Sequence, residues 1–381
     1  MKRRTFRLRS VFLAAEQGDG VLFSLTLAIL VFGWVILYSA SAVLAEAKFG
    51  DQYFFLKKQV LWSAVGLAAM LAASRIKLSW VQKLARPSFF ICLGFLVLVL
   101  VAGHEVMGAK RWLRFGFVGF QPSEFAKLGM VLFLADALDR KKSRLTDFRR
   151  GFLPLMAVAG AAAGLILLEK DLGTAFLLFV VAAGMIYLAG ARHSHLAVTV
   201  LAAVPFLYLA VFHVAYRRQR FLSFLDPWGN AQGAGYQLVQ SMMAIGSGGF
   251  WGKGSGESTI KLLYLPEAQT DFIFSILGEE FGFVGAAILS GLFLCMVHRC
   301  LKAARGATRW FDALLAGGVG LWLGGQVVVN LAVVTGLMPT KGMPLPLVSF
   351  GGSSMVVLLA ALGLVLNVSR RRGAPVLGGR T

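Results

Sequence analysis

Apolar runs of about 20 residues recur from Val21 almost to the end of the chain, and that repetition decides the architecture. A helix rising 1.5 Å per residue needs roughly 20 apolar residues to cross the hydrocarbon core of a bilayer. Ten such helices are read, at 21–45, 56–74, 86–103, 122–139, 152–169, 173–190, 196–213, 271–298, 311–336 and 347–368. The chain is therefore expected to be an all-α integral membrane protein of about ten transmembrane helices. Composition agrees, with 57% hydrophobic residues, 15% charged residues and a mean hydropathy of +0.73, against roughly 25% charged residues in soluble domains.

Charge then orients the bundle. Of the 38 Lys and Arg residues, thirteen fall on one side of this layout and twenty-four on the other, with Lys127 left inside a span. The excess places both termini in the cytoplasm. The expected organisation is a cytoplasmic tail at 1–20, a membrane domain at 21–368 and a second cytoplasmic tail at 369–381. The connection 213–270, between the seventh and eighth helices, is the one long external loop, and its apolar pieces suggest an ordered cap with a re-entrant or surface helix. The net charge of +20 sits in short blocks between apolar runs without an aromatic-interleaved basic surface, so nucleic-acid binding is excluded. The first apolar run is too long, and begins too far from Met1, for a signal peptide. Cys92, Cys295 and Cys300 lie within apolar runs and read as buried small hydrophobes.

The outer side still keeps more cations than orientation requires, which suggests an anionic ligand. Gln121, Glu124 and Lys127 are spaced to share one helix face, as either an internal ion pair or a cationic floor for a headgroup. Lys110 and Arg111 precede them. Glu169-Lys170-Asp171 turns between two apolar helices, either as a solvated hairpin or as an anion site at a helix N-terminus. Arg217, Arg218 and Arg220 flank aromatic residues, either as membrane anchors or as phosphate ligands. Lys341 is the only charge in a Pro- and Gly-rich loop that continues to Ser349. Asp271 closes a polar stretch containing Glu267 and opens an apolar run. A carboxylate at the mouth of a span usually carries function, and general base is the role open to it. Glu279 would lie about 12 Å deeper, too far to share a reaction. Walker A, His-Glu-x-x-His and Cys/His metal patterns are absent from the sequence, so no nucleotide is expected.

Several segments together carry a resemblance: Leu37-Tyr-Ser-Ala-Ser-Ala42, Gly108-Ala-Lys-Arg-Trp112, Gln121-Pro-Ser-Glu-Phe-Ala-Lys127, Asp171-Leu-Gly-Thr174, Tyr216-Arg-Arg-Gln-Arg220, Phe224-Leu-Asp-Pro-Trp228, Leu265-Pro-Glu-Ala-Gln-Thr-Asp271 with Gly278-Glu-Glu280, and Leu345-Pro-Leu-Val-Ser-Phe-Gly-Gly-Ser-Ser354. Over nearly its whole length the chain resembles the SEDS (shape, elongation, division and sporulation) family. Ala268 and Gly278 favour its cell-division branch. It departs from the usual pattern at Gln269, Phe350 and Lys170, where His, Tyr and Pro are common.

The resemblance implies a peptidoglycan glycosyltransferase of the bacterial cytoplasmic membrane at the division septum. Such an enzyme polymerises lipid II into β-1,4 glycan beside a class B penicillin-binding transpeptidase and other divisome proteins. Asp271 matches the family's essential aspartate. The linkage passes from α to β, so one base suffices and the diphosphate leaves against cations or a divalent metal, Mg²⁺ or Mn²⁺. Asp271 is expected to be the base. Lys110, Arg111, Gln121, Glu124, Lys127, Asp171, Arg217, Arg218, Arg220, Glu267, Lys341 and Ser349 are the expected contacts for diphosphate and sugar. The alternatives are a lipid II translocase and a scaffold without chemistry.

Overall fold

The computed structural model describes residues 18–106, 108–115, 118–141, 145–261 and 265–371; the expected terminal tails fall largely outside them. Twelve α-helices run through these residues: α1 (Gly20–Phe49), α2 (Phe54–Ala73), α3 (Leu78–Ala102), α4 (Pro122–Lys141), α5 (Leu153–Leu168), α6 (Leu172–Leu188), α7 (His193–Phe212), α8 (Ala215–Leu225), α9 (Tyr236–Gly248), α10 (Ile273–Arg305), α11 (Trp310–Val334) and α12 (Gly352–Arg370). Each of the ten expected runs has its helix. Among the described residues eight helices are long and apolar enough to cross a bilayer, counting a π-helical turn at Phe148–Phe152 as the start of α5. The other two differ for local reasons. Helix α6 is apolar but only 17 residues long, and α4 carries Glu124, Lys127, Asp136 and Asp139.

Two segments read as connections have structure of their own. Between α3 and α4 lies a three-stranded antiparallel sheet, β1 (His104–Val106), β2 (Ala109–Phe115) and β3 (Val118–Phe120), with Lys110 opposite Glu105 and Arg114 opposite Gly119. The long connection holds α8 and α9; α9 falls on an apolar piece that suggested a helix, whereas α8 forms on the arginine-bearing stretch, where none was expected. Of those eight helices α11 and α12 are the most enclosed. Around them α4, α6 and α10 pack on α11, and α2 lies along α12.

Both ends of the described chain meet at one end of the bundle. The Asp19 carboxylate caps α1 by accepting from the Leu22 N–H at 3.0 Å and pairs with Arg299 of α10 at 2.6 Å. The Asp19 N–H donates to Ser369 Oγ of α12 at 3.0 Å. A shared side is what ten alternating helices between the two ends require. Of the three cysteines only Cys300 is buried; Cys295 is exposed on α10, because a single-faced helix leaves its outer apolar residues for lipid.

Helix α10 is broken at Gly282, which takes φ 62° and ψ −160°. Inside a bilayer the freed peptide groups need partners, and the turn after α9 supplies them. Lys253 N and Gly254 N donate to the carbonyls of Glu279 and Glu280, both at 3.0 Å. Phe283 N and Val284 N donate to the carbonyls of Gly249 and Phe250, at 2.9 and 3.2 Å. Helix α9 packs beside α10, and the turn that follows it plugs the break. Side chains fasten the same joint: Lys253 pairs with Glu279 at 2.7 Å, and Lys261 pairs with Glu280 at 2.8 Å. Glu280 also accepts from Ser39 of α1. Glu279 and Glu280 thus anchor the outer loop.

Gly252 has φ +87°, and a Cβ there would collide with the Glu280 carbonyl. Gly252→Ala is expected to destabilise the folded protein by about 1–3 kcal/mol or more. A lowered melting temperature in detergent checks it.

Candidate active site

One cavity of about 770 Å³ opens where connections converge at the end of the bundle away from the chain ends, and Asp271 lines it. Four elements build its walls. The β2 strand brings Arg111, the turn between α5 and α6 brings Lys170 and Asp171, α8 brings Arg217 and Arg220, and the loop from α11 to α12 brings Lys341. Gln121 and Glu124, at the start of α4, and Glu267 complete the polar lining. Nine of the thirteen residues expected from the sequence meet here.

Each wall is set by its backbone. Asp171 is the N-cap of α6, accepting from Thr174 N and Thr174 Oγ1, both at 2.9 Å. This turns the positive end of α6 toward the cavity, where it favours an anion. Arg111 fastens the sheet to the preceding turn by donating to the carbonyls of Glu169, at 3.1 Å, and Lys170, at 2.6 Å. Lys170 returns the contact by donating to the Gly108 carbonyl at 2.5 Å. Arg217 and Arg220 are three residues apart on α8 and face the cavity together. Arg217 also donates to Ala210 O at 3.0 Å and Leu167 O at 3.4 Å, closing the ends of α7 and α5.

Four expected contacts lie elsewhere. Lys110 is exposed on the strand beside Arg111, and Arg218 is exposed one residue out of phase with the cavity face of α8. Lys127 does not form a cationic floor: it is 4% exposed and pairs with Glu124 at 2.9 Å. It also donates to Gln326 Oε1 at 3.2 Å, so its charge is spent inside the bundle. Ser349 is buried and holds backbone, donating to the Thr270 carbonyl and accepting from Leu345 N at 2.8 Å. It ties the Asp271 segment to the Lys341 loop and offers substrate nothing. Lys170, left out of the expected contacts, belongs to the lining; its position inside the Glu-Lys-Asp turn was the available signal.

Asp271 precedes the N-cap of α10, and its N–H donates to Glu267 O at 3.1 Å. Its carboxylate abuts Gly342, where a Cβ would lie 2.7 Å from Oδ2. Burial raises the carboxyl from its ordinary 3.8 to about 7, with Glu267 and Asp171 adding to the rise and Arg111 and Arg220 opposing it. Burial likewise lowers the Lys341 ammonium, and Arg217 lowers it further while Asp171 holds it up. The cavity thus sets a proton acceptor poised near neutrality among five cations. Among the described residues no three His, Cys, Asp or Glu side chains converge as a metal cage.

Glu169 stands just behind this wall, 1% exposed, with neither carboxylate oxygen hydrogen-bonded. Burial foremost, and then Asp171, raise it from 4.5 to about 8, against Arg111. The folded chain therefore holds this proton more tightly than the unfolded chain, and stability falls as pH rises from about 4.5 to about 8. Glu169→Gln removes that loss. Its melting temperature should gain on the parent across this window and keep a constant lead above it, as thermal scans at stepped pH will show.

Residues 20–373 match the model of a family described as cell cycle protein, covering FtsW, RodA and SpoVE. The chain is 42% identical over 362 residues to "Probable peptidoglycan glycosyltransferase FtsW" of Geobacter sp. (strain M18), covering 94% of this chain and 99% of the relative. To stage V sporulation protein E of Bacillus subtilis (strain 168) it is 40% identical over 354 residues, covering 92% and 97%. Its fold superposes on a chain of a peptidoglycan synthase complex that coordinates polymerization and crosslinking, with a TM-score of 0.78, 34% identity and coverage of 93% and 98%. A crystal structure of the rod shape determining protein RodA of Thermus thermophilus matches with a TM-score of 0.68, 32% identity and coverage of 93% and 97%.

Proposed function

Since the chain belongs to the FtsW, RodA and SpoVE family of cell cycle proteins, we propose that its cavity polymerises lipid II, with Asp271 as general base. The chain is a multi-pass membrane peptidoglycan glycosyltransferase, and its relatives set the reaction class. The observation that carries the site assignment is the pairing of Asp271, raised to about 7, with Arg111, Lys170, Arg217, Arg220 and Lys341 around one cavity.

The chemistry follows from that arrangement. The 4-hydroxyl oxygen of the acceptor sugar attacks the anomeric carbon of the donor, and its proton passes to Asp271. The bond from that carbon to the diphosphate breaks, inverting α to β. Cations fixed in a partly desolvated wall stabilise the charge that gathers on the leaving diphosphate. A good leaving group of this kind needs no second carboxyl as acid, unlike the alcohol released in glycoside hydrolysis. The lining cations therefore hold the diphosphate in this reading, and the reaction so drawn runs on the protein's own groups. Mg²⁺ or Mn²⁺ would arrive as a counter-ion of the substrate, since Mg²⁺ commonly binds through substrate phosphates and keeps its waters.

The wider setting rests on the relatives. A class B penicillin-binding transpeptidase as partner is supported by the solved relative, a synthase complex that joins polymerization to crosslinking. Work at the division septum is supported by the FtsW-named relatives.

Purified protein, with and without the transpeptidase, should extend lipid II, and Asp271→Asn should lower that activity by roughly 100-fold or more while folding normally. Retained polymerisation would remove the base assignment. Lipid II movement across vesicles without polymer would point to translocation. The base works only when deprotonated, so kcat should rise with pH through about 7 and then level off. A gel-based polymer assay over stepped pH reads this limb.

A further inference from the structure

Gln326 and Asn330 lie four residues apart on one face of α11, and both amides are buried. Gln326 accepts from Lys127 at 3.2 Å and Trp322 at 3.0 Å, and donates to the Pro344 carbonyl at 2.9 Å. One turn nearer the cavity, Asn330 is 1% exposed and is not part of the cavity lining. It donates to two carbonyls, those of Asp271 at 2.9 Å and Met343 at 2.7 Å.

These two carbonyls flank the reactive group. One belongs to Asp271 itself. The other belongs to the residue after Gly342, whose backbone meets the Asp271 carboxylate. The Asp271 peptide lies ahead of the α10 ladder, so the helix does not fix it. A polar residue between membrane helices often serves only as glue. Here both N–H groups of one amide end on the two segments whose separation sets where the carboxylate lies.

We propose that Asn330 is a positioning residue for Asp271, its amide clamping the Asp271 peptide to the 341–344 loop so that the carboxylate and Lys341 keep a fixed approach to substrate. The inference rests on Asp271 being the base. Asn330 is absent from the cavity lining and acts through the Asp271 peptide and the loop it ties to it. Released from the clamp, the carboxylate turns toward water in the cavity, and its proton affinity falls.

The test uses the full chain in detergent or vesicles with lipid II, comparing Asn330→Leu, which removes both donors, with Asn330→Gln, which keeps them on a longer arm. Asn330→Leu should lower kcat roughly 10–100-fold with KM for lipid II little changed, and should move the acid limb of the pH profile to lower pH. Asn330→Gln should recover part of both effects. Asp171, Glu267, Arg111 and Arg220 are the charged groups that set the Asp271 proton affinity, and none of them is bonded by Asn330; Lys341 moves with the clamped loop but is not one of them. A moved limb therefore reports on Asp271.

The proposal falls if Asn330→Leu keeps the parental kcat, or if its loss is confined to KM or to protein yield with the limb unmoved. If Asn330→Leu does not fold, Asn330→Gln decides by the same two readouts: a lower kcat with a shifted limb supports the clamp, and parental values overturn it. Failure of the base reading looks different, because Asp271→Asn itself would then still polymerise.

Discussion

Backbone groups that leave the helical ladder inside a membrane must find partners in the protein, and this chain meets that demand at the places where it becomes functional. The turn after α9 serves the break in α10. Thr270 and Gln269 are held by Ser349 and by the Phe350 N–H, and Asp271 by Asn330. The irregular segments around the cavity form one cross-bonded layer resting on α11. The carboxylate keeps its unusual proton affinity because this layer holds it in place, part of it out of water.

Much of the fold was legible because a bilayer imposes one strong pattern. Apolar length alone predicts ten helices, although α3 begins eight residues before its expected start at 86, and their even number predicts a shared side for the termini. The sheet between α3 and α4 was not legible. Its strands are three to seven residues long, and the basic residues of β2 read as an exposed connection.

The site was legible in its residue types and less so in their directions. Arg217 and Arg218 are indistinguishable as sequence, and only the phase of α8 sends one inward and the other out. Helix spacing left Lys127 open to an internal ion pair or a cationic floor. The structure gives it the ion pair with Glu124 and adds the Gln326 amide, a partner from a distant helix that spacing could not show. Ser349 sits in a segment rich in functional signals and spends its hydroxyl on backbone. Asn330 left a trace that periodicity could have caught, a second amide four residues after Gln326 in an otherwise apolar stretch. What no pattern reveals is which carbonyl a buried side chain reaches, because that depends on loops folding back from distant parts of the chain.

The interlock between α10 and the 249–254 turn bears on how the protein is made. A translocon reads spans as they emerge, yet the inner half of α10 beyond Gly282 has two unpaired amides until the preceding segment lies against it. Because that segment leaves the ribosome first, it is already at hand when the break arrives. Helix α9 with its following turn and α10 are thus suited to enter the lipid as a single unit, and topogenesis at this point is expected to depend on order of synthesis as well as on hydrophobicity.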